Sequence, residues 1–240
     1  MDTYIENILD DDPEYENFRS SIRKVPPPVN QPVRDKSVFS EEQMNWLLDE
    51  LVKKGNYDKA CMLALAIYSG RRKAELPRFK VHYFDDANLV CDGALYKTPE
   101  PVRTKGRGDG KYIHLYTLAK NFKPYFDMWM SYRKEHDIES EWLFPQKNNP
   151  SEQMKPETMN SWAETFTRML GEDFYWHSMR HFFTTNMIRA GFPDSAIQSL
   201  IGWESGDMVR LYNDISADEQ ISMYFKDGDI NVPQSKGFNF

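Results

Sequence analysis

The stretch from Tyr57 to Tyr68 constrains the fold more than any other part of this chain. Within its helical pattern, Leu63 to Ile67 are apolar nearly all round, and a helix without a polar face is a buried one. The apolar run from Cys61 to Tyr68 is far too short to cross a bilayer, so its burial has to come from a protein core. Ser69-Gly70 ends the helix, and Pro77 closes a short turn after Glu75-Leu76. Upstream, Ser40 and Gln43 have capping-box spacing, and Met44, Leu47, Leu48 and Leu51 form one apolar helical face that stops at Gly55. With 40% apolar and 14% aromatic residues in 240, the chain can build a sizeable core and is not wholly disordered.

Strand-like mixtures follow over Arg78 to Phe84 and Leu89 to Tyr96, and Tyr112, Ile113 and Leu115 mark a third strand. The polar connection holding Gly106, Gly108 and Gly110 reads as an open hairpin tip. Helical patterns then run over about Leu118 to His136, Pro156 to Leu170, His177 to Ala190, Ser195 to Ile201, Asp207 to Asn213 and Ala217 to Tyr224. The expectation is a mainly α domain with a small antiparallel β-sheet, an α+β fold. Residues 1–36, acidic and containing Pro26-Pro27-Pro28 and Pro32, read as an arm or linker. Residues 37–228 are expected to form the domain, and 229–240 a tail.

The formal net charge of −7 argues at first against a nucleic-acid partner. Its distribution reverses that inference. Residues 1–18 carry seven acids (Asp2, Glu6, Asp10, Asp11, Asp12, Glu14 and Glu16) and no base, which equals the whole excess. From Arg71 to Lys123, twelve bases face six acids. The acidic N-terminus also lacks a basic, then apolar, leader, so no signal peptide is expected. Cys61 and Cys91 have no CxxC context, which suits a reducing compartment.

Four patches place charged or nucleophilic groups where a helical core would favour apolar ones. They are YSGRRKAEL (Tyr68 to Leu76), TKGRGDGKYIHL (Thr104 to Leu115), HSMRH (His177 to His181) and IGWESGDMVRLYND (Ile201 to Asp214). His177 and Arg180 are three apart and expected on one helix face. Taken singly, each patch is more often a solvated cap, an exposed tip or core. Their joint order is what carries information.

That order resembles the catalytic domain of the tyrosine recombinase (phage integrase) family, over about Ser37 to Phe225. The resemblance implies that fold and a DNA breaking-and-rejoining activity. It makes Arg72 the arginine of the first box and Glu75 its acidic support, with Arg71 where the family often has an apolar residue. Lys105 is first choice for the hairpin lysine, His177 and Arg180 form the His-x-x-Arg pair, and Tyr212 falls at the nucleophile. Trp203 stands where many members have histidine and the Cre-type branch has tryptophan. His181 is expected to support the pocket. Arg71, Arg103, Arg107 and Lys111 are expected to contact DNA.

These residue types suit the chemistry. Attack by a phenol on a phosphodiester builds negative charge on the phosphoryl oxygens, and two guanidiniums can each donate paired hydrogen bonds to them. A positive field favours the Tyr212 phenolate, His177 can move its proton, and Lys105 can protonate the leaving 5′ oxygen. The family product is a 3′-phosphotyrosyl link with a free 5′ hydroxyl, so neither metal nor ATP nor another cofactor is expected. A metal-dependent nuclease would need converging carboxylates, and Asp10-Asp11-Asp12 and Asp85-Asp86 read instead as solvated.

The implied partners are double-stranded DNA and further recombinase subunits in a tetrameric synapse, from a protein monomeric alone and not at a membrane. A bacterial or phage-encoded cytoplasmic protein serving a mobile element fits. Type IB topoisomerase and a silent DNA-binding accessory module are the alternatives. About 36 residues precede the domain, too few for the family's N-terminal helical clamp, so a catalytic fragment or a minimal member with weak DNA affinity is expected.

Overall fold

The computed structural model describes residues 38–104, 111–211, 213, 215, 216, 222, 225, 226, 229 and 230, all within the unit 37–240. The first helix, α1 (Glu41–Lys53), starts as its sequence dictates. The Ser40 hydroxyl accepts from the Gln43 amide, the Gln43 side chain accepts from the Ser40 amide, and Met44, Leu47, Leu48 and Leu51 are buried. Helix α2 (Tyr57–Ser69) is buried at every position from Ala60 to Ser69. It is the central rod of the domain, and burial on all sides pushes the Cys61 thiol well above its ordinary pKa.

Around α2 pack α1, α3 (Ala119–Glu135) and α5 (Ser178–Arg189), while α4 (Pro156–Leu170) packs against α1. One large apolar cluster holds these helices and the sheet together, with Phe79, Phe84, Phe122, Phe144, Phe166 and Trp176 among its members. A second, smaller cluster consists of Phe183, Met187, Ile197, Ile201, Trp203 and Val209. It joins α5 to α6 (Asp194–Ile201) and α7 (Asp207–Leu211).

The β structure is antiparallel throughout. Strands β1 (Leu89–Val90), β2 (Leu95–Lys97) and β5 (Tyr116–Leu118) form a sheet in the order β1-β2-β5. Strands β3 (Val102–Thr104) and β4 (Lys111–Ile113) form a separate ribbon, with Thr104 opposite Lys111. Two further ribbons pair β6 (Pro145–Gln146) with β7 (Asn149–Gln153) and β8 (Phe225–Lys226) with β9 (Asp229–Ile230). The mainly helical class with small antiparallel sheets is as expected.

Several local assignments change. Arg78 to Phe84 is not a strand: Leu76–Arg78 and Val81–Phe84 are 3-10 turns, and only Lys80 bridges to Trp142. Leu89 to Tyr96 is two strands, because Cys91, Asp92 and Gly93 all have positive φ and turn the chain back. Of the expected third strand, Tyr112 and Ile113 lie in β4, Leu115 lies in no strand, and β5 follows at Tyr116–Leu118. Arg133 is buried and donates to the carbonyls of Ile138, Ser140, Trp142 and Leu143, which fixes the loop after α3. The expected helix over Ala217 to Tyr224 falls mostly outside the described residues. No helix among the described residues is long and apolar enough to cross a membrane.

Candidate active site

The site is built outward from the end of α2. Gly70 caps that helix in the left-handed conformation (φ 61°), and its N–H donates to the Ala66 carbonyl at 3.1 Å. A Cβ at Gly70 would lie 2.6 Å from Phe183 Cδ1, so only glycine lets this turn sit against α5. The chain then folds back on itself between Arg72 and Glu75. The buried Glu75 carboxylate accepts from the Arg72 amide at 3.0 Å and from its guanidinium Nη1 at 3.2 Å. With its side chain 31% exposed, Arg72 has one edge anchored and the rest of its fork open to a ligand.

Arg71, its neighbour, does the opposite. It is fully buried, and Nε, Nη1 and Nη2 donate to the carbonyls of Ser69 (2.9 Å), Ile201 (3.3 Å) and Leu200 (2.5 Å). Desolvation pushes its pKa down to about 10, opposed by Glu75 and reinforced by Arg72. The expected DNA contact at Arg71 is therefore corrected: its donors are turned into the protein.

The HSMRH segment opens α5, with exposed His177 at the N-cap. His177 packs edge-on against partly buried His181, ring centroids 5.6 Å apart. Arg180, three residues further along, is completely buried where His177 is exposed. Arg180 Nη1 donates to the Gly70 carbonyl at 3.1 Å, and its Cζ sits 4.9 Å from the ring centroid of Trp203. One guanidinium thus joins the arginine turn to the segment after α6. That segment begins with Gly202 (φ 76°), and Trp203 behind it is buried.

The hairpin comes to the same place. Ile113 of β4 is so close to Gly202 that a Cβ there would be 2.3 Å from Ile113 Cδ1. Lys111 Nζ pairs with Glu204 at 3.3 Å. Arg103 is exposed on β3, and the Arg78 guanidinium donates to its carbonyl. Lys105 and Arg107, in the tip, and Tyr212, directly after α7, lie outside the described residues.

The structure therefore gathers the arginine turn, Arg180, Trp203 and the hairpin base, and removes Arg71 from the exposed set. A feature missed in the sequence is a groove of about 600 Å3 beside the hairpin base, lined by Arg78, Lys80, Arg103, Trp142 and Lys155 among others. Its cations come from three stretches of the chain, Arg78 with Lys80, Arg103, and Lys155, and of these only Arg103 stands out in the sequence. Among the described residues, no group of three or more His, Cys, Asp or Glu is placed to hold a metal ion.

The chain and its fold have known relatives. The model of the phage integrase family matches residues 37–219. The chain belongs to the phage integrase family. It is 29% identical over 168 residues to the SPbeta prophage-derived recombinase-like protein YomM of Bacillus subtilis (strain 168), covering 69% of this chain and 47% of that protein. The fold is similar to that of XerA recombinase (TM-score 0.60, 18% identity, 82% of this chain and 65% of that one). It is also similar to the Tn1549 transposon integrase in complex with circular intermediate DNA (TM-score 0.57, 17% identity, 82% of this chain and 67% of that one). The chain spans about half the length of YomM.

Proposed function

We propose that this chain is the catalytic part of a site-specific DNA recombinase or integrase that cleaves and rejoins DNA through a 3′-phosphotyrosyl intermediate. The observation that carries the reading is Arg180, which binds the Gly70 carbonyl and stacks on Trp203, joining three sequence boxes far apart in the chain. The names of the relatives, a recombinase-like protein, a recombinase and a DNA-bound integrase, support it.

In the proposed reaction the scissile phosphate meets the open edge of Arg72, with the charge of Arg180 beneath it. Both guanidiniums are already oriented, by Glu75 and by Gly70 with Trp203, so they stabilise developing oxyanion charge without reorganising first. The Tyr212 oxygen attacks phosphorus and forms the phosphotyrosyl bond while the bond to the 5′ oxygen breaks. Exposed His177 helps move the phenol proton, with His181 orienting its ring, and Lys105 protonates the departing 5′ oxygen. Reversal of these steps by another 5′ hydroxyl rejoins the DNA, with no metal, ATP or other cofactor.

Trp203, at the position where the Cre-type branch also has tryptophan, supports membership of that branch, and its ring is the platform for Arg180. The catalytic domain spans residues 37–228, preceded by the acidic arm 1–36 and followed by the tail 229–240. Arg103, Arg107 and Lys111 contact the double-stranded DNA backbone, with Arg78 and Lys155 of the groove extending that track. Four subunits, each monomeric when free, assemble on DNA in the cytoplasm of a bacterium carrying a phage or other mobile element.

Incubation with a nicked suicide duplex tests the reading. The expected result is an SDS-stable protein–DNA adduct whose yield is unchanged by EDTA; loss in EDTA would favour a metal nuclease. Efficient relaxation of plasmids lacking any specific site would favour a type IB topoisomerase. DNA binding with no adduct would leave a silent accessory module.

A further inference from the structure

The paired arginines after α2 have opposite fates, and the buried one is not explained by the chemistry proposed above. A fully buried cation is expensive unless every donor finds a partner. Arg71 finds three, and their places in the fold are informative. Nε donates to Ser69 within its own turn, whereas Nη1 and Nη2 reach Ile201 and Leu200, about 130 residues away in sequence.

Those two carbonyls lie at the C-terminal end of α6. There the Gly202 and Trp203 amides both turn back to the Gln198 carbonyl, at 2.8 and 3.0 Å, so the carbonyls of Leu200 and Ile201 lie beyond the last helical bond. A guanidinium is well suited to them. Its planar fork offers two donors at a fixed separation, and its charge complements the negative end of the helix. Immediately behind lies the segment whose Trp203 ring supports Arg180. The turn itself is held from the other side by Arg180 on the Gly70 carbonyl. Consecutive carbonyls, Ser69 and Gly70, are thus taken by two different arginines.

We propose that Arg71 is a positioning residue for the strand-cleavage reaction. It sets the register between the turn presenting Arg72 and the end of α6 presenting Trp203, and with it the segment that runs on to Tyr212. It does this without touching DNA. The role rests on the recombinase reading above. It predicts that the volume of Arg71 is replaceable and its fork is not. Methionine would fill much of the space but leave both carbonyls without a donor, and lysine would supply a single point of charge in place of the fork.

The test compares the wild-type protein with Arg71→Met and Arg71→Lys. Three quantities are read: single-turnover cleavage of a nicked suicide duplex, the Kd for an intact duplex, and amide hydrogen exchange in peptides covering 198–204. A displacement of about 1 Å at a reacting centre can slow a step about a hundredfold, which is the loss expected for Arg71→Met. Its Kd should stay close to wild type, and exchange over 198–204 should rise. Arg71→Lys should fall between the two on both cleavage and exchange, and it carries the test alone if the methionine variant does not fold. Cleavage at the wild-type rate in either folded variant would overturn the proposal. So would parallel losses of cleavage and DNA binding in proportion to unfolded protein, which mark a merely structural residue. Should the wild-type protein form no adduct, the recombinase reading fails and exchange alone decides the coupling. Faster exchange over 198–204 in the variants supports it, and unchanged exchange overturns it.

Discussion

The two apolar clusters hold their helices together by different means. Around α2, ten successive residues from Ala60 to Ser69 are buried, and side-chain shape alone can fix where α1, α3 and α5 lie. Around α6 and α7 the apolar cluster has six buried members, Phe183, Met187, Ile197, Ile201, Trp203 and Val209. Helix α5 runs through both clusters, and polar, directional contacts add to that link: Arg71 on the end of α6, Arg180 on Gly70 and Trp203, and Lys111 on Glu204. Directional contacts can fix the separation of reacting groups where burial is thin, and the candidate site lies where they concentrate.

Substitutions can break this contrast. Arg180→Ala removes the link between the turn and Trp203 together with the charge proposed to lie beneath the phosphate. Cleavage of a suicide duplex should fall by about 10²–10³-fold or more, measured under single turnover. In the larger cluster, Leu65→Ala should lower stability by about 2–5 kcal/mol in urea unfolding, with the cleavage rate per folded molecule unchanged. In the smaller one, Ile197→Val should lower stability by only about 0.5–1.5 kcal/mol yet reduce the rate per folded molecule.

The two capping glycines sharpen the comparison further. Gly70→Ala forces a methyl onto the Phe183 ring at a positive φ and should destabilise by about 1–3 kcal/mol. At Gly202 the obstacle is the end of the Ile113 side chain, which can swing away, so Gly202→Ala should cost nearer to the ~1–2 kcal/mol of the left-handed backbone alone. Both follow from thermal or urea unfolding. Lys111→Ala should have the smallest effect, about 0.2–1 kcal/mol or less, because Glu204, its partner, is 82% exposed.

Local chemistry was legible in the sequence, and distant pairing was not. The Ser40–Gln43 capping box and the helix Pro156–Leu170 depend on residues within a turn or two, and both form as read. Asp92-Gly93 carried a hairpin signal that strand propensity on either side obscured, so β1 and β2 were read as one strand. Phe79 and Val81 looked strand-like, yet their backbone bonds go to Leu143 and Glu141 across a single bridge, and no propensity encodes such a partner. The arginine box shows the same limit. Arg72 next to Glu75 follows from spacing three apart, whereas the burial of Arg71 depends on carbonyls that only the tertiary fold brings near.

In the proposed reaction Tyr212 joins covalently to DNA. Digestion of the trapped adduct and mass spectrometry of the nucleotide-bearing peptide test it most directly. The expected result is a phosphodiester on Tyr212, and no adduct from Tyr212→Phe although duplex binding persists. An adduct on another residue, or one that survives in Tyr212→Phe, would contradict it.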